Sequence, residues 1–238
     1  MTDSKPFAGK LALVTGASRG IGAATAEALA GAGAHAILVA RSSAALEEVE
    51  DRIHAAGGSA TIAPLDLTDG ESIGKLAGAV AERWQNLDIL ILNAAMLGSL
   101  TPVQDIDAKE YARIVSLNVL ANQALIAAFD PLLKKADRAD IVALTSSVGS
   151  EPRAFWGAYG SSKAALESLL GAYADETEYL GRLRVHIVDP GATRTKMRAL
   201  AFPGEEPEDV KPAEVVAQAI VERLCADAPT GQKIRVEA

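Results

Sequence analysis

The feature that most constrains the fold of this chain is a strand, a glycine-rich turn and a helix that follow one another directly near the start of the sequence. The apolar run from Leu11 to Val14 is typical of a strand buried on both faces of a parallel sheet. Gly16, Gly20 and Gly22 follow it, and an alanine-rich helical pattern comes next. Glycines at this spacing let the backbone approach a pyrophosphate, and the helix N-terminus offers unpaired N–H groups to its charge. The pattern therefore predicts a dinucleotide site, since a simple loop does not need three glycines at this spacing.

Strand-like and helical segments then alternate to the end of the chain. Further strands are predicted at residues 35–40, 60–65, 88–92, 140–145, 184–188 and 233–236, and helices at 44–56, 70–84, 107–135, from 159 onward and at 213–225. Such alternation with short connections predicts one parallel sheet with helices on both faces. We expect a single α/β domain over residues 1–238, a doubly wound Rossmann sheet of about seven strands. The stretch 193–211, rich in Pro, Gly and charge, is the expected substrate lid.

Composition and charge narrow the class of protein. The chain of 238 residues is 49% hydrophobic and 23% charged, as expected of a soluble globular protein. Its net charge of −8 argues against general affinity for nucleic acid or anionic membranes, so any phosphate binding must be local. No apolar run approaches the roughly 18 residues that span a bilayer, and no signal pattern opens the chain. We therefore expect a cytoplasmic protein with no membrane or nucleic-acid partner.

The number and placement of cysteines and histidines argue against an internal disulfide and against a metal site. Cys225 is the only cysteine, so the chain forms no internal disulfide, and we expect this side chain to be a buried small hydrophobe. The three histidines are scattered and no Cys/His cluster exists, so no metal site is predicted.

Tyr159 and Lys163 are the candidate reactive pair. They stand four residues apart in a helical pattern and so share one face. A phenol with a pKa of about 10 needs its phenolate stabilised by about 4 kcal/mol to carry protons near pH 7. One ammonium at about 4 Å in an effective dielectric near 20 contributes on the order of that amount. An isolated pair of this kind is more often an ordinary amphipathic one, so the surrounding motifs must decide.

Polar residues follow the other predicted strands, where a doubly wound sheet binds its ligand. Arg41 follows the second strand, where proteins that prefer NAD place an acid, and Arg19 lies in the glycine turn. Two guanidiniums fit a 2′-phosphate and predict NADP(H) over NAD(H), although both could be solvated surface arginines. Asp66-Leu67 follows the third strand, where a carboxylate can accept from an adenine amino group. Asn93-Ala94 follows the fourth, where small residues admit a ribose; a plain strand-to-loop turn explains either pair equally well.

With the glycine turn, Asp66, Asn93-Ala94, Asn118, Ser146 and Tyr159-x-x-x-Lys163 in this order, the chain resembles a classical short-chain dehydrogenase/reductase over nearly its whole length. Trp156 to Tyr159 and Pro190 to Arg198 resemble a bacterial branch labelled YciK-like oxidoreductases. The resemblance implies that Tyr159 is the general acid or base, that Lys163 lowers its pKa and binds the nicotinamide ribose, that Ser146 polarises the substrate oxygen and that Asn118 holds a relay water. It implies cofactor contacts from Gly16, Ser18, Arg19, Gly20, Ile21, Gly22, Arg41, Asp66, Leu67, Asn93, Ala94, Tyr159, Lys163, Pro190, Gly191, Thr193 and Thr195.

The same resemblance implies an NADP(H)-dependent oxidoreductase acting on a small carbonyl or alcohol substrate, assembled as a homodimer or homotetramer. We expect the helices that begin near Asp107 and Tyr159 to pair between subunits, since both carry wide apolar faces. Three positions depart from the family pattern: Leu92 and Ala95 replace an asparagine and a glycine, and Asp189 stands where an uncharged residue is commoner. The alternative is a catalytically weak dinucleotide-binding regulatory protein with the same fold.

Overall fold

Seven parallel strands form one sheet in the computed structural model, which describes residues 5–237. The strand order is β3-β2-β1-β4-β5-β6-β7, with the order reversing between β1 and β4. The strands are β1 Leu11–Thr15, β2 His35–Ala40, β3 Ser59–Pro64, β4 Ile89–Leu92, β5 Ala139–Leu144, β6 Leu183–Asp189 and β7 Gln232–Arg235. The predicted Rossmann-like sheet of about seven strands is confirmed.

Helices cover both faces of the sheet. They are α1 Gly20–Gly31, α2 Ser43–Ala55, α3 Gly70–Arg83, α4 Ala108–Val115, α5 Ala121–Leu133, α6 Ser147–Ser150, α7 Gly157–Thr177, α8 Lys196–Ala201 and α9 Ala213–Cys225. One apolar core joins α3, α5 and α7 to the sheet around Leu13, Leu90 and Phe129. A second joins α1, α2 and α9 to the opposite face around Val14 and Ile91. Successive residues of one strand therefore pack into different cores, because side chains along a strand point alternately to the two faces of the sheet.

The predicted long helix at 107–135 is present but has a π-helical turn, Ser116–Leu120, between α4 and α5. Such turns are frequent at functional sites, and this one carries the buried Asn118. By length and composition alone, the segment Ala108–Leu133 is apolar enough to cross a membrane. Core helices pass the same test, and here Leu125 and Phe129 of this segment are fully buried against the sheet.

Two local details differ from the prediction. The fifth strand ends at Leu144, one residue before its predicted end, and Ser147 begins α6, with Ser146 in extended conformation just before the helix. Cys225 is exposed, because it ends α9 where the helix face turns away from the core. Thr193 and Lys211, the two ends of the predicted lid, pair in a parallel bridge and enclose α8.

Candidate active site

A cavity of about 1340 Å³ opens at the carboxyl ends of the strands. This is where an open α/β sheet binds its ligands. Most of the predicted site residues line it together: Gly16, Ser18, Arg19, Gly20, Ile21, Arg41, Asp66, Leu67, Asn93, Ala94, Tyr159, Lys163, Pro190 and Thr195. The Asp66 carboxylate accepts from Thr68 N at 2.9 Å and from Thr68 Oγ1 at 2.8 Å. These bonds hold the pKa of Asp66 below its usual value, which keeps an ionised acceptor at this end of the cavity.

The glycine turn has the geometry that a pyrophosphate requires. Gly16 has a φ of 65°, which favours glycine, and a Cβ on Gly22 would lie 2.2 Å from the Gly16 carbonyl oxygen. No acidic side chain lies in the first turn of α1, so nothing in that turn repels an anion. The residues present therefore fit the phosphates of a dinucleotide. Gly22 itself stands behind the cavity lining, where its lack of a side chain lets α1 pack against the turn.

Asn93 fastens the end of β4 to this turn. Its Nδ2 donates to the carbonyl oxygen of Thr15 at 2.8 Å and more weakly to that of Gly16 at 3.3 Å. The hydroxyl of Thr15 accepts from the backbone N–H groups of Asn93 and Ala94 and donates to the Ile91 carbonyl at 3.0 Å. The two strand ends that a dinucleotide would cross are thus held rigidly together. Ala95, one of the departures from the family pattern, lines the cavity beside them.

Tyr159 and Lys163 lie on one face of α7 and both reach the cavity. Only 7% of Tyr159 and 2% of Lys163 are exposed. Lys163 Nζ donates to the carbonyl oxygen of Leu144 at 2.7 Å and lies 5.7 Å from the centroid of the Tyr159 ring. The lysine is therefore anchored to the end of β5 and holds its charge beside the phenol.

The expected lowering of the Tyr159 pKa is not what this structure shows. Burial, and secondly the carboxylate of Asp189, raise the pKa of Tyr159 above its ordinary value. Burial also lowers the pKa of Lys163 to about 8, against the opposing effect of the Glu167 carboxylate. Both shifts favour the neutral form, because a dry site penalises charge on either group. The pKa values of Tyr159 and Lys163 therefore depend on two acids, Asp189 and Glu167, that the spacing of the pair alone does not indicate.

Asn118 lies deeper than the cavity lining and is fully buried. Its side-chain amide accepts from Met96 N and donates to Met96 O, both at 2.9 Å, and also donates to Ser162 Oγ at 3.0 Å. These three bonds tie the loop after β4 to α7. A water relay from Asn118 to Lys163 stays a prediction.

Ser146, Gly191 and Thr193 also lie outside the lining. Ser146 lies two residues after Leu144, the strand end that Lys163 contacts, and just before α6. Gly191 N donates to the carboxylate of Asp189 at 3.0 Å, which is the local bonding expected for a strand-end acid. Thr193 is buried and donates to the Pro190 carbonyl at 3.0 Å, so it shapes the backbone that borders the cavity.

The sequence alone did not single out several apolar residues of the cavity wall. Leu97 and Leu100, in the loop after β4, line the cavity together with Met197, Leu200 and Ala201 of the lid. One feature of the sequence could have indicated Leu97 and Leu100: apolar residues continue past the end of the strand, where polar residues are usual. Among residues 5–237, no group of three or more His, Cys, Asp or Glu side chains could hold a metal ion.

A parallel sheet with a glycine turn, and a Tyr–Lys pair in the same cavity, define a dinucleotide-binding α/β protein. A family model described as short chain dehydrogenase matches residues 10–206. The uncharacterized oxidoreductase YciK of Escherichia coli K12 is 39% identical over 211 residues, which cover 87% of this chain and 83% of that protein.

Solved structures agree with this match. A short chain dehydrogenase from Pseudomonas syringae is 37% identical, with a TM-score of 0.94 over 100% of this chain and 98% of that one. Another, from Shigella flexneri and complexed with NADP, is 34% identical, with a TM-score of 0.92 over 99% and 100% of the two chains. The chain therefore belongs to the short-chain dehydrogenase family and, as the sequence predicts, resembles its YciK-like members. It is a nicotinamide-dependent dehydrogenase or reductase.

Proposed function

We propose that this protein is an NADP(H)-dependent oxidoreductase that interconverts a carbonyl and an alcohol, with Tyr159 as the proton carrier. The observation that carries the proposal is that Tyr159 and Lys163 line the same cavity as the glycine turn, Arg19 and Arg41. When bound, the nicotinamide supplies or accepts the hydride. Tyr159 donates a proton to the substrate oxygen during reduction and accepts one during oxidation.

The neighbouring residues support that transfer. Lys163 places a positive charge near the ring of Tyr159 and stabilises the phenolate that forms when the proton leaves. Ser146, beside the strand end that holds Lys163, donates to the substrate oxygen as negative charge develops there. Asn118 fixes the loop after β4 and so keeps the cavity wall in register with α7.

The preference for NADP(H) rests on Arg19 and Arg41. Both line the cavity, and among the described residues the only acid in the lining is Asp66, whose carboxylate is engaged by Thr68. The Shigella flexneri relative, solved with NADP, supports the same preference. A guanidinium binds a 2′-phosphate by two parallel hydrogen bonds, which a 2′-hydroxyl cannot match.

Dissociation constants for NADPH and NADH, measured by fluorescence titration, test this proposal. We expect tighter NADPH binding, and we expect Arg41→Gln to weaken NADPH binding by about tenfold or more while changing NADH binding little. Arg153→Gln removes the same charge from an exposed position outside the cavity and should change neither constant. Tighter NADH binding by the wild type would contradict the cofactor proposal. Tight NADPH binding without turnover across a broad carbonyl panel would instead favour a regulatory protein.

We also propose that the chain works as a homodimer or homotetramer in the cytoplasm. The segment of α4 and α5, with the π-helical turn between them, and α7 leave apolar side chains in solvent, with Leu120 57% and Leu169 38% exposed. Pairing these helices between subunits would cover that surface. Light scattering should therefore give at least twice the mass of one chain, and a monomeric mass would contradict the assembly.

A further inference from the structure

The cavity divides into two chemically different ends. Neighbouring strands lie about 4.8 Å apart, so the four steps from β3 to β5 separate Asp66 from the Leu144 strand end by roughly 19 Å. Within residues 5–237, Asp66 is the only acid that lines the cavity. The described lining at the Tyr159 end therefore holds no carboxylate.

The surroundings of Tyr159 are apolar. Leu97 and Val148 are buried against Tyr159 in one cluster, and Leu100, Trp156, Met197 and Ala201 pack on it. The Trp156 ring meets the Tyr159 ring edge-on with centroids 6.0 Å apart. Of this cluster, Leu97, Leu100, Met197 and Ala201 line the cavity, so a substituent of a carbonyl group placed at Tyr159 has aliphatic surface to lie against.

The lid extends this surface toward the mouth of the cavity. Met197, Leu200 and Ala201 have the spacing of one face of α8, and all three line the cavity. Leu200 is 69% exposed although it lines the cavity, so its apolar surface faces open space. Arg198 instead forms an ion pair with Glu205, which fixes the lid from its other side.

Few hydroxyl groups line this end of the cavity, and two of them are engaged. The hydroxyls of Ser99 and Thr145 already donate to Glu110 and Glu167, so each can only accept a hydrogen bond from a sugar-like substrate. Ser116 also lines the cavity. Lys196 and Arg113 line the cavity but carry positive charge, which disfavours a cationic substrate. A polyhydroxylated or cationic carbonyl compound would lose hydration here without recovering its hydrogen bonds.

Resting on the function proposed above, we infer that the substrates are aldehydes or ketones with an apolar chain that extends from Tyr159 along Leu97 and Met197 to Leu200. Burial of each further methylene should improve kcat/KM by about threefold until the wall is covered. Sugars and cationic carbonyl compounds should be poor substrates.

Steady-state kinetics with NADPH test the inference, using butanal, hexanal, octanal, glyceraldehyde and betaine aldehyde. We expect kcat/KM to rise by up to about 80-fold over the four methylenes from butanal to octanal, with both polar aldehydes below butanal. Met197→Gln and Leu200→Asn should flatten this dependence on chain length, whereas Tyr179→Gln, an exposed residue outside the cavity, should leave it unchanged. A polar aldehyde that matches octanal, or a chain-length dependence that survives both lid substitutions, would overturn the inference.

A binding measurement separates this inference from the proposed function. Trp84→Phe leaves Trp156, which packs on Tyr159, as the single tryptophan. In that background we expect 1-octanol to change the Trp156 emission at a lower concentration than 1-butanol, and Leu200→Asn to remove the difference. If no carbonyl compound is reduced but 1-octanol still binds more tightly than 1-butanol, the proposed function is contradicted and the apolar binding site is supported. Equal binding of the two alcohols would overturn the inference.

Discussion

Asp189 lies at the end of β6 and Tyr159 in the first turn of α7, yet the charge of Asp189 raises the pKa of Tyr159. Burial is the larger cause that raises the pKa of Tyr159, and the Asp189 carboxylate adds to it. Asp189 is itself buried and bonded to Gly191 N. A buried acid therefore makes the Tyr159 phenol harder to ionise, in a family that more commonly has an uncharged residue at this position.

Asp189→Asn should increase the fraction of Tyr159 that is present as phenolate. The amide can keep the bond to Gly191 N but removes the negative charge, so the pKa of Tyr159 falls and the fraction of phenolate at a given pH rises. We expect kcat/KM for alcohol oxidation to increase at every pH from 7 to 10, by at most about tenfold for each unit by which the pKa falls, because a phenolate of lower pKa is also a weaker base. Asp137→Asn, an exposed acid before β5, is the matched control. A profile that coincides with wild type would show that Asp189 does not act on Tyr159.

Glu167 tunes Lys163 from one turn farther along α7. Its carboxylate accepts from Thr145 Oγ1 and pairs with Lys233 of β7 at 2.7 Å. It also opposes the lowering of the Lys163 pKa that burial causes. The same side chain thus supports the strand end that holds Lys163 and stabilises the charged form of the lysine.

Glu167→Gln should therefore lower the pKa of Lys163 below its value of about 8. The lysine then loses its charge at lower pH, and we expect NADPH binding to weaken with rising pH at an earlier point than in wild type. Titration of the NADPH dissociation constant from pH 6 to 9 measures this midpoint. Glu176→Gln, exposed on the same helix, should keep the wild-type midpoint. A loss of melting temperature without any shift of the midpoint would mean that Glu167 is only structural.

Phe155 is a strained residue just before α7. It is the one described non-glycine residue with positive φ, at 72°, and its side chain is 55% exposed. The left-handed conformation costs an ordinary residue roughly 1 to 2 kcal/mol, and asparagine tolerates it better. We expect Phe155→Asn to raise the melting temperature by about 2–4 °C, and Ala154→Asn, beside it, to give no such gain. An unchanged or lower melting temperature for Phe155→Asn would contradict this.

The alternation of strands and helices, the glycine turn and the place of the cavity follow from local signals in the sequence. Apolar runs that end in Gly16 or Asn93 mark buried strands, and parallel strands must bring their carboxyl ends to one edge. The sequence could not show the π-helical turn around Asn118, because its residues keep a helical pattern. It also could not assign Glu167, since an acid on a helix is usually solvated.

The sequence pattern is insufficient where tertiary contacts decide. The short helix α6, which begins at Ser147 and packs against α7, was not predicted from the sequence. Burial, and secondly the Asp189 carboxylate, raise the pKa of Tyr159, and neither effect can be judged from a spacing of four. The predicted lid, residues 193–211, contains Met197 and Leu200. Leu97 and Leu100 were not predicted, because they reach the cavity only through the fold of the loop after β4.

The Tyr159→Phe variant tests the central claim most directly. The substitution removes only the hydroxyl, so NADPH should bind within about twofold of wild type while the remaining phenyl ring keeps the contact with Trp156. Without its proton carrier, NADPH-dependent reduction of octanal, or of the best carbonyl substrate found, should fall by about 10² to 10⁴-fold in kcat. Tight NADPH binding with this loss of turnover is the predicted result, and wild-type turnover by the variant would contradict the assignment of Tyr159.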